Sequence, residues 1–404
     1  NWIWQGCAND GNTLPRNPGN RAMSLTILAD ENIPGVEHYV GNLGVVRRFS
    51  GRALLPAQLA GVDVLLVRSV TPVDARLLGQ SEVVFVGTAT SGVDHVDRDF
   101  LNERGIACRY APGSNAQSVV EYVFAAISGV ADYLERVLAG GHVGIIGYGV
   151  IGKALAARLA ALDIRYKVYD PWLDASDIDY PGTLEEVLAS TVVTLHSELT
   201  DRQPWPSRHL LNEVTLAQIP PDSLLINASR GEVVDNRALD TLLACGAGPE
   251  VVLDVWEGEP AINAALLRRV RFGTPHIAGY SHDGKLLATR MLVEGMAQAL
   301  DLPWHDPGSA AGEPPPLHLD PRITATALLR SVVSQRYDIA ADDAALREVL
   351  DSGDSALAAA GFDRLRREYP HRREILGSRV GIGALGAAQQ KTIQGLGCLT
   401  GSDC

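Results

Sequence analysis

Several things are scarce in this sequence, and each scarcity excludes a class of protein. Five cysteines are scattered with no C-x-x-C pair, so neither a disulfide framework nor a cysteine zinc site is indicated. A reducing, cytoplasmic setting is therefore expected, and no metal site. Basic charge is sparse: the formal net charge is −13, which argues against a nucleic-acid surface. Local arginines can still receive an anionic substrate. Long apolar runs are missing as well. The longest, SVVEYVFAAISGVADYL, is interrupted by Glu121 and Asp132 and reads as a buried helix, not a membrane span. Residues 1–22 lack a basic start followed by an apolar run, so they are not a secretory signal. Residues 383–404 show no amphipathic period. Both ends are expected to be non-native or disordered extensions outside the fold.

What remains is rich in alternation. The strand-like segments LTILAD, DVLLVRS, VVFVGTAT and IACRY are separated by helical patterns such as PVDARLLG and RDFLNERG. Such alternation predicts a parallel sheet with helices on its faces. In APGSNAQSVVEYVF a turn precedes a long helix, which Ser114 or Asn115 can cap. A second series follows: HVGIIG, RYKVYD, VVTLHS, LLINAS and VVLDVW. The expected class is α/β, with two Rossmann-like doubly wound domains. Residues 119–277 are inserted in a domain made of 23–118 and 278–302, and a proline-rich linker opens a third region, 303–382.

The motif VGIIGYGVIGKAL carries Gly147, Gly149 and Gly152 in G-x-G-x-x-G spacing, with Val150 and Ile151 opening the helix. A strand precedes it, and Asp170 ends the next strand. That context predicts a dinucleotide site, with pyrophosphate at the helix N-terminus and Asp170 on the ribose hydroxyls. An acid there favours NAD over NADP. Arg230, in NASRGEVVD at another strand end, has the fork geometry to hold a carboxylate. The stretch LDVWEGEP adds Asp254, Glu257 and Glu259, and TPHIAGY adds His276. A glutamate bonded to a histidine fixes its tautomer for proton transfer with a hydroxyl. Spacing alone leaves open whether Glu259 and His276 meet. A hydride acceptor, a cation and a base together suit oxidation of a 2-hydroxy acid.

In order and spacing, GYGVIG, NASRGEVVD, DVWEGEP and PHIAGYS resemble the D-isomer-specific 2-hydroxyacid dehydrogenase family. The stretches LADENIPGVE, LLVRSVTPVD, FVGTATSGVDHVD, PHIAGYSHDGK and YPHRREI resemble a branch of it that oxidises a phosphorylated four-carbon 2-hydroxy acid in bacterial vitamin B6 synthesis. The resemblance implies that Arg230, Glu259 and His276 are catalytic. It implies NAD contacts at Asp170, Asp254, Gly279 and the glycine motif. Substrate contacts would fall at Ser69, Thr90 and Tyr280, and residues 303–382 would form an α+β domain that makes a homodimer. Ser197 stands where the family usually has threonine, and its hydroxyl can still reach the cofactor. For the substrate phosphate, Arg68 is the first candidate cation, with Arg372 and Arg373 the second. His282 and Lys285 read as polar residues at a helix start; His95, Asp94 and His196 read as structural. The competing functions are reduction of glyoxylate, hydroxypyruvate or a 3-phosphoglycerate-type acid, and a non-catalytic NAD-sensing interaction protein.

Overall fold

Strands buried on both faces are written as unbroken branched runs, and that is how most strands here read. The computed structural model describes residues 24–351, 353–381 and 385–401; the expected leader, 1–22, lies outside the described residues. The chain divides into two units. One runs through Ala111 and takes up again at Leu286–Ala310; the other holds Pro112–Lys285 and the chain from Ala311 onward.

The first unit is built on a five-stranded parallel sheet: β1 (Leu25–Asp30), β2 (Gly44–Phe49), β3 (Val64–Val67), β4 (Phe85–Thr88) and β5 (Ala107–Tyr110). Their order is β2-β1-β3-β4-β5, so the winding reverses between β1 and β3. Ligands collect beyond strand ends at such a reversal. Asp30 ends β1, and Arg68 and Ser69 follow β3. Strand β2, GVVRRF, has no apolar alternation that would announce it. It lies at the sheet edge, where charged side chains block pairing with other chains. Its Arg48 pairs with Glu37 at 2.6 Å.

The second unit holds a six-stranded parallel sheet: β6 (His142–Ile146), β7 (Arg165–Tyr169), β8 (Val192–Leu195), β9 (Leu224–Asn227), β10 (Glu250–Leu253) and the short β11 (Phe272–Gly273). The order is β11-β10-β9-β8-β6-β7. In register, Ile146 neighbours Leu195, Leu195 neighbours Asn227, Asn227 neighbours Leu253, and Leu253 neighbours Gly273. Tyr169 of β7 likewise neighbours Ile146, so all six strands end on one row. The residues that follow each strand emerge together along that row.

Against this sheet lies the helix Ala116–Gly129, buried along nearly its whole length. It is the interrupted apolar stretch, and Glu121 is buried within it. The region after the linker, expected as a third domain, packs against this helix. Leu328, Leu329, Val332 and Val333 of the helix Ala325–Arg336 join the same apolar core as Val119, Tyr122 and Val123. The end of the chain departs from expectation. Within residues 385–401 a helix, Ala387–Gly395, leads into β13 (Leu399–Gly401), which pairs in parallel with β12 (Arg379–Gly381). Ile393, Leu396 and Cys398 are buried in the core, and Arg158 donates to the carbonyl of Gly395 at 2.9 Å. Three apolar anchors suffice to dock a short helix, even where glycine and glutamine hide the period. Among the described residues no helix is long and apolar enough to cross a membrane, and no cluster could hold a metal ion.

Candidate active site

The glycine motif sits at the reversal between β6 and β8. Gly147 has φ +94°, and a Cβ there would lie 2.6 Å from the Ser197 nitrogen. Gly152 is equally constrained, because its Cβ would meet the Gly147 carbonyl at 2.1 Å. Gly149 is different: nothing lies within 4 Å of the place a Cβ would take. It opens the helix Val150–Ala161 and leaves the space above its N-terminus clear. Asp170 accepts the amide of Tyr148 at 2.8 Å and that of Trp172 at 3.0 Å, tying the turn to the end of β7. The Ser197 hydroxyl is buried with no hydrogen-bond partner. Two glycines shaped by the protein, one open to a ligand, an acid beside the turn and an orphaned hydroxyl fit a dinucleotide.

Arg230 follows β9, half-buried, with Nη1 donating to the Ser229 carbonyl at 2.8 Å. The turn that carries it is held by Asn227, which accepts the Ser229 amide and hydroxyl and donates to the Arg230 carbonyl at 3.0 Å. Gly231 is required because any Cβ would enter the Trp256 backbone at 2.1 Å.

The three acids of LDVWEGEP separate into three tasks. Glu257 bonds His209 at 2.6 Å and the Asn236 amide at 3.0 Å, and so serves the fold. Asp254 is buried; Oδ1 accepts the Thr274 hydroxyl and the Ile277 amide, and Oδ2 the Ala278 amide, at 2.7–2.9 Å. It thus braces the loop carrying His276, with one acceptor site left on Oδ2. Glu259 meets His276: Nδ1 lies 2.8 Å from Oε2, while Oε1 accepts the Trp256 amide at 2.9 Å. Burial works against the Glu259 charge, but His276, the Trp256 amide and Arg366 outweigh it and hold the carboxyl below its ordinary range. An ionised Glu259 accepts only, so Nδ1 carries the proton and Nε2 is the basic nitrogen. His276 adopts φ +57°, a left-handed conformation that costs roughly 1–2 kcal/mol. Its amide bond to the Asp254 carbonyl, at 2.7 Å, helps hold it there.

Gly279 is expected to admit the cofactor closely; a Cβ there would also lie 2.5 Å from the Asn115 side chain. Asn115 does stand at the helix N-terminus, without a side-chain capping bond. Tyr280 is half-buried. Its ring stands edge-on to Tyr369 at 5.8 Å, with Lys285 Nζ 4.6 Å and Arg366 Cζ 5.8 Å from its centroid.

In the first unit, Thr90 donates to the Gly92 carbonyl at 2.7 Å. Its single proton is then used, so Thr88 donates to Thr90 and His95 Nε2 to Thr88, each at 2.8 Å. His95 is thus a structural donor, and burial lowers its pKa against the pull of Asp94. Ser69 is exposed. Arg68, the first candidate for the substrate phosphate, has Nε committed to the fully buried Asp30 at 3.2 Å. A carboxylate buried at a strand end needs that counter-charge.

Arg372 and Arg373, the second candidates, also hold protein groups, with Arg372 Nε and Nη1 buried and unpartnered. Arg372 is 6% exposed; its Nη2 donates to the Ala278 carbonyl at 2.6 Å and to Ser118. Arg373 grips Asp283 through Nε and Nη2. The segment 371–376 thus clamps the segment 278–283. His282, at the start of its helix, stacks on His371 at 4.7 Å and donates its amide to the Arg372 carbonyl. His196 is neutral, pushed down to about 3 by burial, with Nε2 on Thr194 at 3.0 Å and Nδ1 unpartnered. Nothing in the basic run RLRREYPHRRE tells Arg366 from its neighbours, so sequence reasoning missed both Arg366 and the clamp.

Residues 117–278 match the model of the D-isomer-specific 2-hydroxyacid dehydrogenase NAD-binding domain, and residues 313–397 match a domain of unknown function. The chain is 43% identical over 388 residues to an erythronate-4-phosphate dehydrogenase of Cellvibrio japonicus, covering 93% of this chain and 100% of that one. It is 44% identical to one of Pseudomonas aeruginosa, over 92% of this chain and 99% of that one. Among solved structures, D-lactate dehydrogenase of Aquifex aeolicus, complexed with NAD and lactic acid, superposes with a TM-score of 0.56 at 22% identity. That match covers 68% of this chain and 95% of the other, and it speaks to the fold.

Proposed function

From a chain that belongs to the erythronate-4-phosphate dehydrogenases, within the D-isomer-specific 2-hydroxyacid dehydrogenases, we propose oxidation of 4-phospho-D-erythronate at C2 to 2-oxo-3-hydroxy-4-phosphobutanoate, a step toward pyridoxal 5′-phosphate. The observation that carries the site assignment is the 2.8 Å Glu259–His276 pair, set on the same row of strand ends as Arg230 and the glycine turn. NAD, when bound, supplies the acceptor for the C2 hydride. Gly147, Val150 and Ile151 would line its pyrophosphate cradle, with Gly149 and Gly152. Asp170 would take the ribose hydroxyls, and Ser197 the remaining polar edge.

Arg230 holds the C1 carboxylate and the forming keto oxygen. His276 Nε2 takes the C2 hydroxyl proton, and Glu259 stabilises the imidazolium that results. Alcohol carbon and hydroxyl together lose two electrons and two protons; the hydride leaves to the cofactor and the second proton to His276. Tyr280, Ser69 and Thr90 are assigned to the substrate. Asp254 and Gly279 are assigned to the cofactor, Asp254 also bracing the loop that carries His276. We also assign the protein to the cytoplasm and to a homodimer made through the C-terminal region. The 63% exposed Leu357 and 55% exposed Leu399 support such a surface.

Appearance of NADH with 4-phospho-D-erythronate, in single turnover at stoichiometric protein, tests the activity whether or not the cofactor exchanges. Oxidation of 3-phosphoglycerate in preference to it would overturn the substrate. Sedimentation as a monomer at micromolar concentration would overturn the dimer.

A further inference from the structure

A substrate with a carboxylate at one end and a phosphate at the other needs a second cation, because Arg230 serves the first. The arginines first considered for it each hold a protein group: Arg68 Nε holds Asp30, Arg373 holds Asp283, and Arg372 Nη2 holds Ser118 and Ala278; Arg372 Nε and Nη1 are buried without partners, but its guanidinium lies over the Tyr337 ring at 4.4 Å, not at Tyr280. Arg366 is differently placed. It lies in the last turn of the helix Ser355–Arg367 with Arg364 and Arg367. Those two face solvent, as basic residues at a helix C-terminus commonly do. Arg366 turns inward instead. Its guanidinium carbon is 5.8 Å from the centre of the Tyr280 ring, and its Nε is buried with no hydrogen-bond partner. Lys285 approaches the same ring at 4.6 Å. Burial disfavours the Arg366 charge, yet the Tyr280 hydroxyl and the Glu259 and Asp254 carboxylates outweigh it, so the cation is held firmly. A buried donor aimed at no acceptor, on a fixed cation beside Tyr280, has the properties of a ligand for an anion.

We propose that Arg366, with Tyr280 and Lys285, seats the phosphate of the substrate, so that the C-terminal region contributes directly to substrate recognition. This rests on the reading that the substrate is a phosphorylated 2-hydroxy acid. It places the ability to tell a phosphorylated acid from its bare counterpart outside the two sheet-based domains.

The test compares 4-phospho-D-erythronate with D-erythronate in the full-length holoenzyme, as wild type, Arg366→Met and Arg366→Lys. A charge-assisted pair of about 1.5–3 kcal/mol corresponds to roughly a 10- to 150-fold change. Arg366→Met is therefore expected to raise KM for the phosphorylated acid by that factor. Its kcat/KM for D-erythronate should stay within about threefold, and Arg366→Lys should recover part of the loss. An equal fall with both acids would show Arg366 acting through Glu259 or the fold, and would overturn the inference alone, as would an unchanged KM. Wild-type protein that uses both acids equally well would overturn the phosphorylated-substrate reading and this inference with it.

Discussion

Glu259→Gln isolates one charge while keeping the size of the side chain. Glu259 is a two-sided acceptor: Oε1 takes the Trp256 amide at 2.9 Å and Oε2 takes His276 Nδ1 at 2.8 Å, with only 19% of the side chain exposed. Glutamine has one carbonyl oxygen and one NH2 group. If the oxygen faces His276, the NH2 faces the Trp256 N–H, and a buried donor is left unmet at about 1–3 kcal/mol. If the oxygen faces Trp256, the NH2 forces Nδ1 to accept, and the proton moves to Nε2, the nitrogen that must be basic. In both cases the imidazolium formed during oxidation loses its counter-charge. At about 4 Å and an effective dielectric near 20 that interaction is worth about 4 kcal/mol, or roughly a thousandfold in rate. Single-turnover kcat is therefore expected to fall about 10²- to 10⁴-fold, with KM for the acid changing less than about threefold. NAD affinity should be unchanged, because Glu259 touches neither the glycine turn nor Asp170. A kcat within about fivefold of wild type would refute the assignment of Glu259 as the charge behind His276.

Three further outcomes follow from the same geometry. Gly152→Ala should destabilise the fold, since its Cβ would lie 2.1 Å from the Gly147 carbonyl, whereas Gly149→Ala should leave Tm unchanged and weaken NAD binding at least about tenfold. Calorimetry and cofactor titration separate the two, and equal Tm losses would contradict this division. Burial, reinforced by Glu374, pushes Glu121 up to about 8, and burial pushes Glu374 up to about 7. Both folded values lie above the unfolded ones, so the folded protein holds extra protons between roughly pH 4.5 and 8, and stability falls as pH rises through that window. Glu121→Gln should flatten this decline in a Tm series, and a wild-type Tm that holds level across it would count against both shifts. Removing the chain from residue 385 onward strips Ile393, Leu396 and Cys398 from the core. At about 1.5–3 kcal/mol for each large apolar side chain, urea unfolding should report a loss of at least about 3 kcal/mol, and an unchanged midpoint would show the tail to be dispensable.

The sheets were readable because parallel strands buried on both faces leave an unmistakable record of branched residues between turns. Eight of the observed strands sit inside segments the alternation marks out, such as Leu25–Asp30 in LTILAD and Leu224–Asn227 in LLINAS, and β10 begins one residue before VVLDVW. Strand β2 escaped because an edge strand's pattern serves to repel neighbours, so GVVRRF carries arginines where a buried strand carries valines. The catalytic candidates were readable for a related reason. Ligands meet strand ends, and strand ends can be located from the runs that precede them. What spacing could not supply was register. Only the alignment of Asn227 with Leu253, and of Leu253 with Gly273, brings the residues after β9, β10 and β11 onto one row.

The C-terminal region was misread for a deeper reason. A run such as RLRREYPHRRE has no period that tells which arginine turns inward, and five arginines in eleven residues ordinarily mean a solvated face. Yet a counter-signal stood far upstream. Glu121 interrupts a helix that is otherwise apolar, and a buried carboxylate must find donors. It finds the amides of Ile375 at 2.6 Å and Leu376 at 3.2 Å, more than 250 positions away. The next residues back along that segment, Glu374, Arg373 and Arg372, bind Ser281, Asp283 and Ala278, which flank Tyr280. One misplaced acid in an apolar helix therefore marked where the chain's end would dock. That docking ties down the loop beyond His276, and it brings Arg366 to Tyr280. The third region thus packs on the segment that carries Tyr280.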